Sequence, residues 1–332
     1  MRKVMGGLFS ASLLTSCAAL ALVAAAALAP GAQAQTLKVV IPQKGAFDTS
    51  IVDFGVKQGF FKEQGLDIEE IFSQGGANNE QAVISGSADF SMATGTLGII
   101  SLYVKGAPIR IIGAESTGAP DIFWYAKAGS GIKSIKDAHG KTVAFSAPGS
   151  STNLVLNALL KANNVTDAKP TATGSPPGTL TQVMSGQIDI GWGVPPFVLK
   201  EIADKQAVVV AQGNDAPGVR DQTIRVNVVR LDLLQQNRDA VVRFAKAYDK
   251  ARNWAYSDPK AVDYYAEENK IPRDLAAAAI KRYHPKAQTD PYVIKGLQRT
   301  LDDALEAKRI DHPMKPDDVK GMIDIVWKPG QP

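Results

Sequence analysis

The chain has 332 residues, 45% of them hydrophobic and 21% charged, with 37 basic against 33 acidic side chains and a single cysteine, Cys17. A balance this even, without a basic block or an acidic tail, excludes electrostatic capture of nucleic acid or of an anionic membrane as the main function. One cysteine excludes a disulfide framework, so the fold rests on its core, which a chain near 300 residues supplies by burying about three quarters of its unfolded surface.

Arg2 and Lys3 open an Ala- and Leu-rich run that closes on Ala32, Gln33 and Ala34, the pattern of a secretory signal cut before Gln35. Its removal leaves 35 basic against 33 acidic residues and no cysteine, so export is expected without disulfides. Leu14-Thr15-Ser16-Cys17 offers a competing reading, a lipoprotein box that leaves Cys17 lipidated at a new N-terminus, but residues 18–29 stay apolar where a tether is polar. No later run has the ~20 apolar residues a membrane span needs.

From Leu37 a short strand (37–42) leads through the turn 43–48 to a helix (50–65), a strand (66–72), the turn 73–79, a helix carrying Gln81, Ala82, Val83 and Ile84, and a strand (88–94). A helix (98–106) and a strand (109–115) follow. A second pass begins near Gly140, with a strand (141–146), the turn 147–152, a helix (153–164), a strand (169–174), the turn 175–179, a helix (180–186) and a strand (188–192). The two passes match element for element and share the phrase S-G-x-x-D, at Ser85-Gly86 with Asp89 and at Ser185-Gly186 with Asp189. Two α/β lobes of like architecture, mostly parallel sheets covered by helices, are expected. Each repeated aspartate reads as a turn-fixing residue after a glycine C-cap. From Thr223 a strand (223–230) gives way to helices over 238–254, 259–268, 274–283 and 292–307, expected to pack back onto the first lobe.

Enzyme signatures fail. Gly140-Lys141-Thr142 lacks the upstream glycine of a phosphate loop and precedes a strand instead of following one. There is no G-x-S-x-G elbow, and His139, His284 and His312 read as exposed loop histidines without a metal or triad partner. No cofactor is expected. What remains is a set of small-polar and glycine turns at the carboxyl ends of the predicted strands, where open α/β sheets bind ligands. Gly149, Ser150, Ser151 and Thr152 open a helix, and Thr94, Gly95 and Thr96 open another. Both starts suit an anionic oxygen, beside the simpler reading of ordinary N-caps. Phe47, Trp124 and Trp192 are candidate apolar walls, and Lys44 is the cation of these turns.

In order, the opening strand with GVKQGFFKEQGLDIE, AVISGSADF with ATG, SIKDAHGKTVAF with PGSSTN, and VMSGQIDIG resemble the periplasmic solute-binding proteins of ABC importers for nitrate, sulfonates and taurine, related to the thiamine-pyrimidine (NMT1/THI5-like) binding proteins. The resemblance implies a type II binding protein of two lobes, residues 35–121 with 226–332 and residues 122–225, joined by two crossings near 115–124 and 223–229. It implies a periplasmic monomer that closes on one small molecule and docks on a permease served by a separate ATPase subunit. The ligand contacts it implies are Lys44, Gly45, Ala46 and Phe47, then Gln74 and Gly75, Thr94, Gly95 and Thr96, and Ser150, Ser151 and Thr152. Ser116, Thr117 and Trp124 from the crossing, and Val194, Pro195 and Asn214 from later turns, complete the expected site. Where sulfonate and taurine members carry Trp, an acid and Pro, this chain has Val194-Pro195-Pro196. The missing acid removes a partner for a substrate amine and turns the expectation toward organic anions other than taurine. The alternatives are a pyrimidine-like or aromatic ligand held by Phe47 and Trp124, or a pyrimidine synthase of the same fold. The known synthases use a cysteine-rich motif that this mature chain lacks.

Overall fold

The computed structural model describes residues 34–73 and 75–330. The signal reading, Cys17 and Gln74 therefore lie outside the described residues.

The first lobe opens with strand β1 (Gln35–Pro42), helices α1 (Ile51–Lys57) and α2 (Phe60–Glu63), β2 (Leu66–Ser73), α3 (Gly76–Ile84), β3 (Phe90–Gly95), α4 (Thr96–Val104) and β4 (Ile109–Thr117). The long helix expected over 50–65 is two short ones, because Gly59 between them takes φ +76°, a left-handed turn that a helix cannot continue through. The chain then crosses into β5 (Phe123–Lys127), β6 (Thr142–Phe145), α5 (Ser151–Ala162), β7 (Lys169–Ala172), α6 (Pro176–Met184), β8 (Ile190–Gly193), α7 (Leu199–Ala203) and β9 (Ala207–Gln212). It returns through β10 (Thr223–Arg230) to α8 (Leu231–Gln236), α9 (Arg238–Ser257), α10 (Pro259–Asn269), α11 (Arg273–Tyr283) and α12 (Leu297–Glu306). The helix expected from 292 begins only at Leu297. The segment before it runs along the first sheet, Pro291 O accepting from Ala114 N at 3.0 Å and Lys295 O from Thr223 N at 3.0 Å.

Two five-stranded mixed sheets result, ordered β2-β1-β3-β10-β4 and β7-β6-β8-β5-β9. Their topologies are copies. In the first, β10 runs antiparallel to β3 and β4; in the second, β5 runs antiparallel to β8 and β9. Each crossing thus delivers its sheet's one antiparallel strand. All of β10 pairs in the first sheet from Thr223 onward, so residues 223–225, counted above with the second lobe, hydrogen-bond in the first.

Burial follows position. Central β3 is buried along its whole length, whereas edge β2 is half exposed. α9 lays Val241, Phe244, Tyr248 and Ala251 against the first lobe, with Phe244 stacked on Phe90 at 4.1 Å between ring centres. These aromatic contacts add about 0.5–1.5 kcal/mol each beyond burial. The repeated aspartates do the same work in both lobes. Asp89 Oδ2 accepts the backbone N–H of Lys38 at 2.9 Å, and Asp189 Oδ2 accepts that of Thr142 at 2.9 Å, so Asp89 pins β1 to β3 and Asp189 pins β6 to β8.

Candidate functional site

The carboxyl ends of β1, β3 and β8 and the start of α5 converge on a cavity of about 30 Å³ between the lobes. At ~10–15 Å³ per water it holds about two. A larger hollow of about 640 Å³ lies on the surface beside α5 and α12, where Lys161 Nζ meets Glu306 at 2.6 Å. Its charged groups face solvent, whereas those of the small cavity are buried and converge, the pattern of a binding site.

At the mouth the lobes touch backbone to backbone. Gly98 N donates to Gly149 O at 3.0 Å, and a Cβ on Gly95 would lie 2.7 Å from that oxygen and 2.9 Å from Ser150 Cα. Glycine at 95 is what lets the start of α4 meet the start of α5. The lobes are therefore in the closed arrangement.

Of the residues expected at the site, Ala46, Gly95, Ser150, Ser151, Thr152 and Val194 line the cavity. Ser150 is the N-cap of α5, its Oγ accepting from Asn153 N at 3.2 Å, and Thr152 Oγ1 accepts from Ser146 N at 2.8 Å. The segment thus caps its helix and lines the cavity at once. The helix leaves the N–H groups of Ser151 and Thr152 without an intrahelical acceptor.

The first lobe's matching hydroxyls turn away. Thr96 Oγ1 donates to Thr223 O at 2.8 Å and Thr94 Oγ1 accepts from Ser91 at 3.1 Å, so α4 presents backbone, not hydroxyls, to the cleft. Lys44 points outward, 3.2 Å from Glu268 and 5.1 Å above the Phe72 ring. Gly45, at φ +100°, packs on Asn269. Phe47 is wholly buried among Phe54, Tyr256, Tyr265 and His284, and Trp124 is wholly buried with Nε1 donating to Ala144 O at 2.9 Å. Both are core rings of their own lobes and not ligand walls. His284 is likewise not an exposed loop residue, and burial pushes its imidazole down toward the neutral form. Gly75 is buried, its N–H on Ser73 Oγ, away from the lining. Pro195, in a cis bond to Pro196, is not part of the lining. Ser116, Thr117 and Asn214 brace the crossings: Ser116 Oγ donates to Gly118 O, the hydroxyls of Thr117 and Thr223 lie 3.0 Å apart, and Asn214 Oδ1 accepts from Ala119 N.

Sequence reasoning missed the charged heart of the site. Arg225 on β10, Asp48 after β1 and Asp121 in the first crossing all line the cavity, and Glu115 on β4 stands behind them. Arg225 reaches Glu115 Oε2 with Nε at 2.9 Å, Asp121 Oδ2 with one terminal nitrogen at 2.8 Å and Asp48 Oδ2 with the other at 3.5 Å, all four side chains being at most 8% exposed. Burial pushes the Glu115 carboxyl up, against the pull of Arg225 and with help from Asp48 and Asp121. A guanidinium is suited to such a cluster because its fork of donors can meet several carboxylates at once. The readable signal was an arginine inside a Val- and Ile-rich strand that is buried almost throughout. Trp192, named only as a possible wall, lines the cavity with its indole N–H unpartnered. Gln43 at φ +51° and Ala93 at φ +49° also line it, strained backbone of the kind that gathers at functional sites.

Two lobes closing on a polar cavity define an α/β protein of the periplasmic-binding-protein fold. The chain belongs to the NMT1/THI5-like family, whose model matches residues 51–262. It is 24% identical over 272 residues to a putative aliphatic sulfonates-binding protein of Bacillus subtilis, covering 80% of this chain and 78% of that one. Among solved structures it is similar to the alkanesulfonate-binding protein SsuA of Xanthomonas axonopodis pv. citri bound to MOPS, with TM-score 0.73, 16% identity and coverage of 87% and 97%. It is also similar to the periplasmic nitrate-binding protein NrtA of Synechocystis PCC 6803, with TM-score 0.71, 14% identity and coverage of 89% and 88%.

Proposed function

We propose that the chain is the extracytoplasmic substrate-binding component of an ABC importer, a binder and not an enzyme. On this reading it works in the periplasm as a monomer after loss of residues 1–34. It captures a small organic anion of sulfonate or carboxylate type between the lobes and delivers it to a permease driven by a separate ATPase subunit. The observation that carries the reading is the cavity lined from both lobes and sealed by the contact of Gly95 with Gly149 and Ser150. A ligand there touches both lobes only when they close, so its binding energy favours closure. Moving a population from 1:99 to 99:1 takes about 5.5 kcal/mol of such preference. The relatives described as sulfonate- and nitrate-binding support the class of cargo. The anion's place is at the start of α5, where Ser151 and Thr152 offer N–H groups at the positive end of a 12-residue helix.

A pyrimidine-like ligand loses the two aromatic walls it was to use, since Phe47 and Trp124 are core, and keeps only Trp192. The enzymatic reading is less favoured because the relatives named above are described as binding proteins. The test is a thermal-shift screen over sulfonates, carboxylates, nitrate and pyrimidines, since a ligand that binds only the folded state raises its melting temperature. Replacing Ser151 and Thr152 together by alanine is expected to weaken the best anion by about tenfold or more, roughly 1.4 kcal/mol. Unchanged affinity would show that the two hydroxyls do not hold the anion, leaving to it only the backbone N–H groups that alanine keeps.

A further inference from the structure

Among the described residues the second lobe brings no charge to the cavity. Its share of the lining is Ser146, Ser150, Ser151, Thr152, Trp192 and Val194, so closing encloses the charges of the first lobe and the crossings alone. There the carboxyl groups of Asp48, Glu115 and Asp121 surround the single guanidinium of Arg225, at 3.5, 2.9 and 2.8 Å. The other titratable groups that face this trio do not offset it. Arg252 on α9 is matched by Asp249 at 2.8 Å. Burial holds the hydroxyls of Tyr248 and Tyr256 on α9 and of Tyr265 on α10 in their neutral form, and it pushes His284 after α11 the same way. Three ionised carboxylates against one guanidinium would leave the enclosed set negative before any anion arrived, and burial already drives one member, Glu115, toward its protonated form. Asp48 Oδ1 and Asp121 Oδ1 are buried without a hydrogen-bond partner, each in a side chain that lines the cavity. An anion brought beside such oxygens meets like-charge repulsion with little water to screen it. A carboxyl that keeps its proton removes that charge and turns an acceptor into a donor.

We infer that the cleft takes up its anion together with a proton, which the trio of Asp48, Glu115 and Asp121 holds beside Arg225 while the lobes are closed. The inference rests on the importer reading above. The proton belongs to the trio and not to one member, because carboxyls crowded around one guanidinium titrate as a unit. Binding and protonation are reciprocal: the bound anion strengthens the trio's hold on the proton, and the proton strengthens the cleft's hold on the anion by the same factor. The sign follows. The loaded form binds more protons than the empty one, so affinity is highest at low pH and falls as pH rises through the range in which the trio gives the proton up.

The test is calorimetric titration of the full mature chain with propanesulfonate, nitrate and butanoate, each in phosphate and in Tris at one pH. The first two anions take no proton themselves in this range, and the buffers differ in their heat of ionisation, so the difference in binding heat counts the protons taken up by the protein. About one proton per anion is expected, with affinity falling by up to about tenfold for each unit of rise between about pH 7 and pH 9. Glu115→Gln is expected to cut the uptake by half or more and to flatten the pH dependence, and Asp121→Asn is the second variant should the first fail to melt cooperatively. Structural damage alone would weaken binding equally at every pH. Binding without proton uptake, at an affinity indifferent to pH, would overturn the inference and leave the importer reading standing, as would an uptake untouched by both variants. No binding by any of the three anions at any pH would instead count against the importer reading itself.

Discussion

No Cβ fits on Gly95 while Gly149 keeps its place: it would lie 2.7 Å from the Gly149 carbonyl oxygen and 2.9 Å from Ser151 N. Gly95 sits at φ −65°, where alanine is unstrained, so the obstruction belongs to the meeting of the lobes and not to the fold of either one. Gly95→Ala is therefore expected to leave the melting temperature of the unliganded protein near that of the wild type. It should weaken ligand binding by tenfold or more and hold the scattering profile of the liganded protein open. A liganded variant as compact as the wild type would show that the contact does not limit closure.

Arg225 is the one cation against three buried carboxyls. Breaking a buried ion pair by deleting one partner costs about 3–5 kcal/mol. Arg225→Met is expected to lower the unfolding free energy in urea by that order. Arg225→Lys, which restores the charge without the three-way fork, is expected to recover only part of it.

Asp89 and Asp189 each hold a strand start through a charge-assisted bond to backbone. Asn at either position is expected to cost about 1–2 kcal/mol. Lying in separate lobes, the two losses are expected to add in the double variant to within ~0.5 kcal/mol, with ligand affinity unchanged. This checks the turn-fixing role against any role in chemistry.

Burial pushes the Glu80 carboxyl, close beside Gly98, up to about 8, with Arg309 opposing the shift. A carboxyl raised in the folded state favours folding while protonated. Its contribution is whole below the unfolded value near 4.5 and is lost as pH rises toward about 8. Glu80→Gln is expected to leave the melting temperature near pH 4 little changed. It should raise it at pH 8, by roughly 2–4 °C for each kcal/mol recovered. An equal shift at both pH values would point to packing instead.

Much of the architecture is legible in the sequence because repetition and periodicity are local signals. Both S-G-x-x-D phrases and the helices of the two passes follow from spacing alone. The strands β5 and β9 escaped, since four or five consecutive apolar residues beside a crossing carry no alternation to mark them. The site was half legible. The small-polar start of α5 announced itself through composition and faces the cleft as expected. Lys44, Phe47 and Trp124 misled, since a cation near a turn or a ring at a strand end says nothing of which way its side chain points, and these point to solvent or to core. The charged cluster escaped for a different reason. Asp48, Glu115, Asp121 and Arg225 are separated by as many as 177 positions and meet only because β10 returns from the second lobe to lie beside β4. The buried Arg225 in the strand TIRVNVVR was the clue available, since burying a charge demands partners.

The closed cleft leaves about 30 Å³, a small fraction of the ~300 Å³ or more of an ordinary ligand pocket. A closed cleft that small admits one cargo at a time, and whatever enters displaces the water and meets both lobes at once.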